Sequence, residues 1–380
     1  MKVLVCGLGY VGTSLAKAAH GAGHEVIGFD SDSLRIEKIR AALGFEVRAD
    51  FPPMLNPDIA IICVPTPLDN ERQPDLSHLR DICNQLKGNL KKPTLIINES
   101  TSYPGTLRNL LAPTIGSEHL FVVAPERIDP GNEKWNIKNT PRLIAGLSQE
   151  ATDMALKFYQ SFCENVITVS SPEVAEAAKL FENTFRQVNI ALVNEFAQIA
   201  EALSISAHET LEAAATKPYG FMPFFPGVGV GGHCIPVDPS YLSHIAKNLG
   251  VEATLINLAN EVNDSMPRYI AKRIEKLLGG NLMDKRIQIA GVAYKADSSD
   301  FRESPALALM ASLREMGASV SWHDEIVGSY KDESSSKLEA VDLGIIATAH
   351  SEVDYEVWVI SQTLVLDLSA TSNTGWPKFL

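Results

Sequence analysis

Long apolar runs, cysteine and positive charge are all scarce in this sequence. No apolar run reaches the about 20 residues that a membrane-spanning helix needs. Residues 1–7 could be mistaken for the start of a signal peptide, but glycines at positions 7, 9 and 12 interrupt the segment and no clear cleavage site follows. We therefore interpret these residues as a first strand and expect a cytoplasmic protein.

The number of cysteines and the net charge argue against disulfide-rich, metal-binding and nucleic-acid-binding proteins. The five cysteines are odd in number and widely spaced, which suggests neither a disulfide framework nor a metal site. Cys6 and Cys63 lie in apolar runs typical of inert core residues, whereas Cys234 does not. The net charge of -13 argues against a nucleic-acid partner, because phosphate contacts supply most of that affinity. An anionic metabolite would need local positive charge or helix N-termini.

Residues 1 to about 165 alternate short apolar strands with helices, a pattern that predicts a parallel sheet covered on both faces. With 380 residues, the chain is long enough for two or three domains. The predicted strands cover residues 2–6, 25–29, 59–64, 94–98 and 120–123, and the predicted helices cover 13–21 and 76–86.

The middle of the chain is helical and the end returns to strands and helices. We predict one long helix over 172–203, a Gly/Pro/Phe-rich loop over 217–239 and a helical stretch from 241 to about 278. Strands over 287–292, 319–323, 341–347 and 364–368, with a helix over 306–316, indicate a second, smaller α/β domain. The predicted fold class is α/β, with two Rossmann-like domains and parallel sheets joined by a long central helix and a helical middle region. The predicted domains are 1–171, 172–278 and 279–380.

A glycine-rich turn follows the first strand and opens the first helix. Gly7, Gly9 and Gly12 form the G-x-G-x-x-G spacing that brings a backbone close to a dinucleotide pyrophosphate. Asp30 ends the second strand, where a carboxylate accepts ribose hydroxyls and repels a 2′-phosphate, so NAD is favoured over NADP. The alternative is a structural turn without a ligand. Loops 64–67 and 99–101 end strands at the same sheet edge and could close over the nicotinamide, or be plain turns.

The loop 229–239 carries the strongest chemical signal. Cys234 is flanked by glycines, and a thiol near nicotinamide can trap an aldehyde and form a thioester. Asp238 lies four residues further on, one turn if the segment is helical. Lys179 and Asn183 share a helix face and could stabilise an alkoxide or hold a water. The alternatives are a structural loop cysteine and a solvated helix face.

Charged residues after other strands are further candidates. Glu126 follows the strand over 120–123 and could activate a water, or be a surface glutamate paired with Arg127. Lys295 and Arg302 supply positive charge to the last domain, so a phosphate could bind there, although such clusters are usually solvated.

With these segments in order, the chain resembles the UDP-glucose/GDP-mannose dehydrogenase family over nearly its whole length. The resemblance is carried by GLGYVG (7–12), VPTP (64–67), EST (99–101), PERIDPG (125–131), KLFENTFRQVNIALVNE (179–195), FFPGVGVGGHCIPVDP (224–239) and YKADSSDFRESPA (294–306).

The resemblance implies roles for individual residues. Cys234 would be the covalent nucleophile, Lys179 and Asn183 would stabilise the oxygen at C6, and Asp238 would act with Lys179 as base through water. Thr101 would help position that water, and Glu126 would serve thioester hydrolysis. The expected cofactor contacts are Gly7, Gly9, Tyr10, Val11, Gly12, Asp30, Arg35, Pro65, Thr66, Thr101 and Arg302. The expected substrate contacts are Arg186, Phe225, Gly231 and Lys295.

The loops GGHCIP-x-DP and PERIDPG look like the branch that acts on UDP-N-acetylhexosamines, whereas the UDP-glucose branch usually has GGSCFPKD and a second glutamate near position 130. The resemblance also implies a dimer through the helical region and a role in polysaccharide precursor supply. Three departures stand out: a short stretch between Gly44 and Ile59, which implies that part of the first sheet's edge is missing, no basic residue near 367–369, and an end soon after Trp376-Pro377.

Three functions compete at this point. The first is a four-electron, two-NAD oxidation of a UDP-sugar at C6, with UDP-N-acetylhexosamine or UDP-glucose as substrate. The second is a two-electron hydroxyacid dehydrogenase, which needs no cysteine and would give one NADH per substrate instead of two. The third is a UDP-sugar or NAD sensor, against which the presence of Cys234, Lys179, Asn183 and Asp238 argues.

Overall fold

The structure, a computed structural model, describes residues 1–51, 56–128, 132, 134–370 and 374–380. It contains two compact units, the first formed by Met1–Glu182 with Ser240–Glu252 and the second by Asn183–Pro239 with Ala253–Leu380. In this described part of the chain, no helix is long and apolar enough to cross a membrane.

The first unit is an α/β unit built on one eight-stranded sheet. Its elements, in chain order, are β1 (Lys2–Cys6), α1 (Tyr10–Gly21), β2 (Glu25–Phe29), α2 (Ser33–Arg40), β3 (Glu46–Arg48), β4 (Ile59–Ile62), α3 (Ser77–Asn89), β5 (Leu95–Asn98), a π-helical turn (Leu107–Leu111), α4 (Ala112–Ile115), β6 (Leu120–Val123), β7 (Arg142–Gly146), α5 (Gln149–Tyr159) and β8 (Val166–Thr168). The strand order is β3-β2-β1-β4-β5-β6-β7-β8. Only β6 and β7 pair antiparallel among the described neighbours.

The strand order reverses at β1, which lies between β2 and β4. In sheets of this kind, ligands bind outside the carboxyl ends of the strands at the reversal point. Strands β4 and β5 are buried along their whole length, which explains their uninterrupted apolar sequence. The glycine-rich turn and the loops after β4 and β5 follow carboxyl ends at this edge.

The remaining elements are α6 (Pro172–Leu203), α7 (Ala207–Ala215), α8 (Asp238–Asn248), α9 (Thr254–Leu277), β9 (Arg286–Ala290), α10 (Pro305–Glu315), β10 (Ser319–His323), β11 (Ser329–Tyr330), β12 (Glu333–Ser334), β13 (Leu343–Ile346), α11 (Glu356–Ile360) and β14 (Leu364–Asp367). The second unit is built on a four-stranded parallel sheet in the order β10-β9-β13-β14. This order matches β2-β1-β4-β5 of the first unit. The fold class is therefore the predicted one, with two Rossmann-like sheets and the 32-residue helix α6 in the chain between them.

The bounds of β1, β2, β6, α6 and β10 agree with the sequence prediction. The single helical stretch predicted from 241 to about 278 is wrong, because Gly250 adopts a φ of 75° and separates α8 from α9. Between Gly44 and Ile59, where the short stretch implied that part of the first sheet's edge is missing, β3 pairs with β2 and is the last described strand on that side. Residues 52–55 of this stretch lie outside the described residues.

Candidate active site

The glycine-rich turn is shaped by close backbone packing at two of its three glycines. Gly7 has a φ of 93°, and a Cβ on it would lie 2.3 Å from the carbonyl oxygen of Cys63. A Cβ on Gly12 would lie 1.8 Å from the Gly7 carbonyl oxygen. A Cβ on Gly9 would meet no protein atom within 4 Å. The turn thus leaves open space at Gly9, next to Tyr10 and Val11 in the first turn of α1, where a cofactor pyrophosphate can approach the backbone.

Asp30 is fixed beside this turn. Its carboxylate accepts hydrogen bonds from the Leu8 amide at 2.7 Å and the Asp32 amide at 2.9 Å. The guanidinium of Arg35, on the first turn of α2, donates to it at 3.1 Å. The carboxylate is therefore held at the carboxyl end of β2 by two backbone amides and one guanidinium.

The loops after β4 and β5 are tied to each other. The Ser100 hydroxyl, next to Thr101, donates to the Val64 carbonyl at 2.8 Å. Tyr241 on α8 donates its hydroxyl proton to the Thr66 carbonyl at 3.0 Å. The structure thus brings the predicted Pro65, Thr66 and Thr101 to one edge of the sheet.

Glu99 anchors the loop that carries Thr101 from inside the unit. Its carboxylate accepts from the Arg142 guanidinium at 2.5 Å and from the Tyr159 hydroxyl, and all three side chains are buried. Sequence reasoning missed this cluster. The signal was weak, because Glu99 and Arg142 are far apart in the chain and β7 pairs antiparallel.

Glu126 follows β6, and its carboxylate accepts a hydrogen bond from the Ile128 amide. The neighbouring Arg127 forms an ion pair with Glu182 of α6 at 2.6 Å and donates to the Pro141 carbonyl at 2.9 Å. The loop after β6 is therefore linked to α6 close to Lys179. The end of the PERIDPG motif, at 129–131, lies outside the described residues, as does the branch-specific position 130.

Lys179 and Asn183 lie one turn apart on α6. Lys179 is only 8% exposed, so the alternative of a solvated helix face is wrong for it. Asn183 donates its amide proton to the Asp238 carboxylate at 2.5 Å, and Asp238 is buried. The Asp238 amide in turn donates to the Cys234 carbonyl at 2.9 Å, so the segment from Cys234 to Asp238 forms the predicted single turn.

Cys234 differs from the other four cysteines, because it alone is exposed among these five. Burial raises the pKa of the Cys6 and Cys163 thiols and raises the pKa of Cys83 to about 12. Reactive cysteines are typically accessible, whereas buried ones are inert. Burial, with Arg302 as a second cause, lowers the pKa of His233, the residue before Cys234 in the sequence.

The glycines before Cys234 pack against the last domain's strand-end segment. A Cβ on Gly231 would lie 2.8 Å from the Pro305 side chain, and one on Gly232 would lie 2.8 Å from the Tyr294 ring. The Gly232 amide donates to the Arg302 carbonyl at 3.0 Å. Only glycine allows the cysteine loop to lie this close to the segment that carries Arg302.

Buried amide side chains fix the beginning of the same loop. Asn194 of α6 accepts from the Gly227 amide at 2.9 Å and donates to Asn263 of α9 at 2.9 Å. Asn263 donates to the Gln187 carbonyl at 3.2 Å. Sequence reasoning missed these residues. Asparagines repeated on the apolar faces of long helices were the available signal.

The predicted substrate contacts differ in their surroundings. Phe225 stacks on His208 of α7, with ring centroids 5.1 Å apart and an interplanar angle of 15°. Lys295 is half-buried, and Arg186 is exposed. The exposed Arg302 guanidinium is paired with Asp300 at 2.5 Å.

Residues 367–369 have no basic residue close by in the sequence, but the fold brings Lys378 beside them. Lys378 donates its ammonium protons to the Asp367 carboxylate at 2.7 Å and to the Ser369 carbonyl at 2.6 Å. The physical reason is that the last residues return beside β14, where the Phe379 amide donates to the Asp367 carbonyl at 2.9 Å.

The second sheet repeats the aspartate at the end of its second strand. Asp324 follows β10 and accepts from the amides of Val292, Ala293 and Val327 at 2.8–3.0 Å and from His350 Nε2 at 3.0 Å. Burial alone would raise its pKa, but the bonds from His350 and the backbone outweigh burial and lower the pKa to about 2.

The predicted site residues fall into both units. The first unit holds Gly7, Gly9, Tyr10, Val11, Gly12, Asp30, Arg35, Pro65, Thr66, Thr101, Glu126 and Lys179. The second holds Asn183, Arg186, Phe225, Gly231, Cys234, Asp238, Lys295 and Arg302.

Three family models match the chain in the order of its segments. They are the NAD binding domain (residues 43–163), the central domain (173–265) and the UDP binding domain (288–372) of the UDP-glucose/GDP-mannose dehydrogenase family.

Individual relatives agree with this assignment. The chain is 34% identical to a UDP-N-acetyl-D-mannosamine dehydrogenase from Methanocaldococcus jannaschii, over 92% of this chain and 86% of the relative. It is 31% identical to a UDP-N-acetyl-D-glucosamine 6-dehydrogenase from Pseudomonas aeruginosa, over 93% and 91%. A solved UDP-D-ManNAc dehydrogenase structure from Pyrococcus horikoshii superimposes with a TM-score of 0.87 at 30% identity, covering 100% of this chain and 97% of the other. The chain belongs to the UDP-glucose/GDP-mannose dehydrogenase family, whose members are NAD-dependent oxidoreductases of nucleotide sugars.

Proposed function

We propose that this protein oxidises the C6 alcohol of a UDP-N-acetylhexosamine to the carboxylate, with two NAD consumed and a thioester formed on Cys234. The substrate class is supported by the mannosamine and glucosamine dehydrogenases among the relatives, at 31–34% identity. The single observation that carries the mechanism is the accessibility of Cys234 on a loop that also fixes Asp238 and Asn183.

The chain's own residues supply the bases, the nucleophile and the groups that stabilise charge. Asp238, with Lys179 and a water, removes the hydroxyl proton, and Lys179 and Asn183 stabilise the oxygen at C6 as charge develops there. The Cys234 thiolate adds to the aldehyde carbon to give a thiohemiacetal, whose oxidation gives the thioester. Glu126 activates the water that hydrolyses the thioester, which restores the thiol and releases the carboxylate. Thr101 positions the water used in the proton transfer.

NAD, when bound, accepts one hydride in each of the two oxidations. The open space at Gly9, with the first-turn amides of α1 behind it, fits a pyrophosphate. Asp30 would accept the ribose hydroxyls, and Arg35, Pro65, Thr66 and Arg302 would line the rest of the cofactor site. Lys295, Arg186, Phe225 and Gly231 would contact the UDP-sugar.

We also propose a homodimer through α6. The exposed apolar side chains on this helix include Phe181, Phe185, Leu192, Ile199 and Leu203, which are 43–65% exposed. Their spacings of four and seven residues place them along one stripe of the helix. An exposed apolar stripe of this length is unusual on a monomer, and a second copy would cover it with the same stripe.

The test is NADH production by the purified protein with UDP-GlcNAc, UDP-ManNAc, UDP-GalNAc, UDP-Glc and GDP-Man, together with the ratio of NADH to substrate consumed. We expect an N-acetylated sugar to be preferred and a ratio of two. A preference for UDP-Glc would support the alternative, UDP-glucose 6-dehydrogenase. A ratio of one would indicate a two-electron dehydrogenase, and no turnover with any sugar would indicate a binding protein.

Cys234→Ser tests the covalent step. We expect it to abolish uronic acid formation, because a hydroxyl is far less acidic than a thiol, while NAD binding and the melting temperature stay at wild-type values. NAD titration and melting of the variant serve as its controls. Uronic acid formation at the wild-type rate in Cys234→Ser would rule out the thioester.

A further inference from the structure

A buried carboxylate on α6 holds the segment that follows Thr101. Glu176 is 2% exposed and accepts hydrogen bonds from the Gly105 amide at 2.6 Å, the Leu107 amide at 3.0 Å and the Ser102 hydroxyl at 3.1 Å. Ser102 is the next residue after Thr101, and its oxygen also accepts from the Asn98 side chain at 3.3 Å. The end of β5, the Thr101 segment and α6 are therefore joined by one chain of hydrogen bonds inside the first unit.

Lys179 lies on α6 between two such attachments. Glu176 precedes it by three residues, and Glu182, which pairs with Arg127 at 2.6 Å, follows it by three. Residues three apart on a helix are neighbours on its surface. The helical turn that carries Lys179 is thus attached to the loop after β5 by Glu176 and to the loop after β6 by Glu182.

Burying a carboxylate is unfavourable unless donors compensate it. At Glu176 burial outweighs the three donors and raises the pKa to about 7. An apolar side chain here would leave the Gly105 and Leu107 amides and the Ser102 hydroxyl without this acceptor. The three directional bonds fix the geometry between two elements, and these elements carry Thr101 and Lys179.

We propose that Glu176 is a positioning residue for the oxidation, which fixes the Thr101 segment against the turn of α6 that carries Lys179. This role rests on the proposed function, in which Thr101 positions a water and Lys179 acts on the C6 oxygen. Displacement of reacting groups by about 1 Å can cost on the order of 100-fold in rate. Loss of Glu176 should therefore lower kcat, whereas the cofactor and UDP contacts, and with them KM, should change little.

Glu173 offers a matched control. It lies one turn earlier on α6 and pairs with Arg108 of the π-helical turn at 2.7 Å, so it connects the same two segments. Both partners are partly exposed, and such surface pairs contribute little. Glu173→Gln should therefore leave kcat within about twofold of wild type.

The experiment is a double-mutant cycle with Glu176→Gln and Thr101→Ala, read as kcat and KM. We expect Glu176→Gln to lower kcat at least tenfold with KM within twofold, and to have little further effect in the Thr101→Ala background, because it acts through Thr101. Ser102→Ala, which removes one of the three donors, should lower kcat less and carries the same test if Glu176→Gln does not fold. Melting temperatures separate lost positioning from lost stability.

The outcomes distinguish the two proposals. Independent, additive losses in kcat, or a kcat of Glu176→Gln equal to that of Glu173→Gln, would overturn the positioning role while leaving the oxidation intact. A wild-type protein that oxidises none of the nucleotide sugars would overturn the proposed function, and the role of Glu176 with it.

Discussion

Alanine at Gly9 and alanine at Gly12 should damage the protein in different ways, although both glycines belong to the same turn. The added Cβ of Gly12→Ala would lie 1.8 Å from the Gly7 carbonyl oxygen, about half the 3.5–4.0 Å of ordinary non-bonded contacts. The oxygen belongs to the backbone and the position of a Cβ is fixed by the backbone, so no side-chain rotation can relieve the clash. The added Cβ of Gly9→Ala would meet no protein atom within 4 Å.

The expected magnitudes follow from these distances. Ordinary overpacking costs about 1–3 kcal/mol, and a backbone clash this close should exceed that range. At about 2–4 °C per kcal/mol for a domain of this size, Gly12→Ala should melt on the order of 10 °C lower. Gly9 has a φ of -66°, which alanine adopts easily, so the loss of a favourable N-cap residue and the gain from a stiffer unfolded chain nearly cancel. Its melting temperature should stay within about 3 °C of wild type.

The assay combines thermal melting without cofactor and NAD titration by calorimetry. We expect Gly9→Ala to bind NAD at least about tenfold more weakly, equivalent to about 1.4 kcal/mol, because its methyl group occupies the space for the pyrophosphate. Wild-type NAD affinity in Gly9→Ala would refute the assignment of this space to the cofactor. A wild-type melting temperature in Gly12→Ala would refute the packing of the turn.

Two further predictions concern acid stability and assembly. Asp324 has a pKa of about 2 against an ordinary value of 3.8, so it contributes about 2 kcal/mol of stability above pH 4, which is lost as the pH falls from about 4 towards 2. Urea unfolding between pH 3 and 7 should therefore show a destabilisation of Asp324→Asn that shrinks on acidification, and a constant difference would contradict the role of the buried charge. Leu192→Glu, at the centre of the exposed stripe of α6, should yield monomers in sedimentation velocity. Lys272→Glu, an exposed position on α9 where the change of charge is larger, serves as the control and should leave the dimer intact. A dimer that persists in Leu192→Glu would place the interface elsewhere.

The elements that the sequence predicts well are those with a local signal. Helix α6 begins at Pro172 after Ser171 and repeats apolar residues without interruption, and both bounds were predictable. Strand β7 carries Arg142. From the sequence, a charged residue of this kind is expected at the surface, but Arg142 is buried and paired with Glu99. Gly250 ends α8 because it adopts a positive φ. A glycine within a helical pattern does not by itself predict a helix end, since helices tolerate isolated glycines.

The candidate site likewise contains residues that have a local sequence signal and residues that have none. The motifs around Gly7 and Cys234 are contiguous, so their residues could be named from spacing. The supports are not contiguous: Glu176 meets Gly105 across 71 positions, and Asn194 meets Gly227 across 33. Lys378 likewise reaches Asp367 only because the chain turns back on itself. Such contacts depend on tertiary structure and leave no periodic signal in the sequence.

The hydrogen bonds of Asp324 distinguish the second sheet from the first, in which Asp30 occupies the equivalent position. A carboxylate offers about four lone-pair sites, and Asp324 already receives three amide protons and one imidazole proton. Asp324 is also fully buried, so its carboxylate is satisfied inside the fold and is not presented to the ribose hydroxyls of a dinucleotide. The same strand order thus places an aspartate after the second strand of each sheet, but in the second sheet His350 and three backbone amides hold that aspartate, and this segment matches the UDP binding domain of the family.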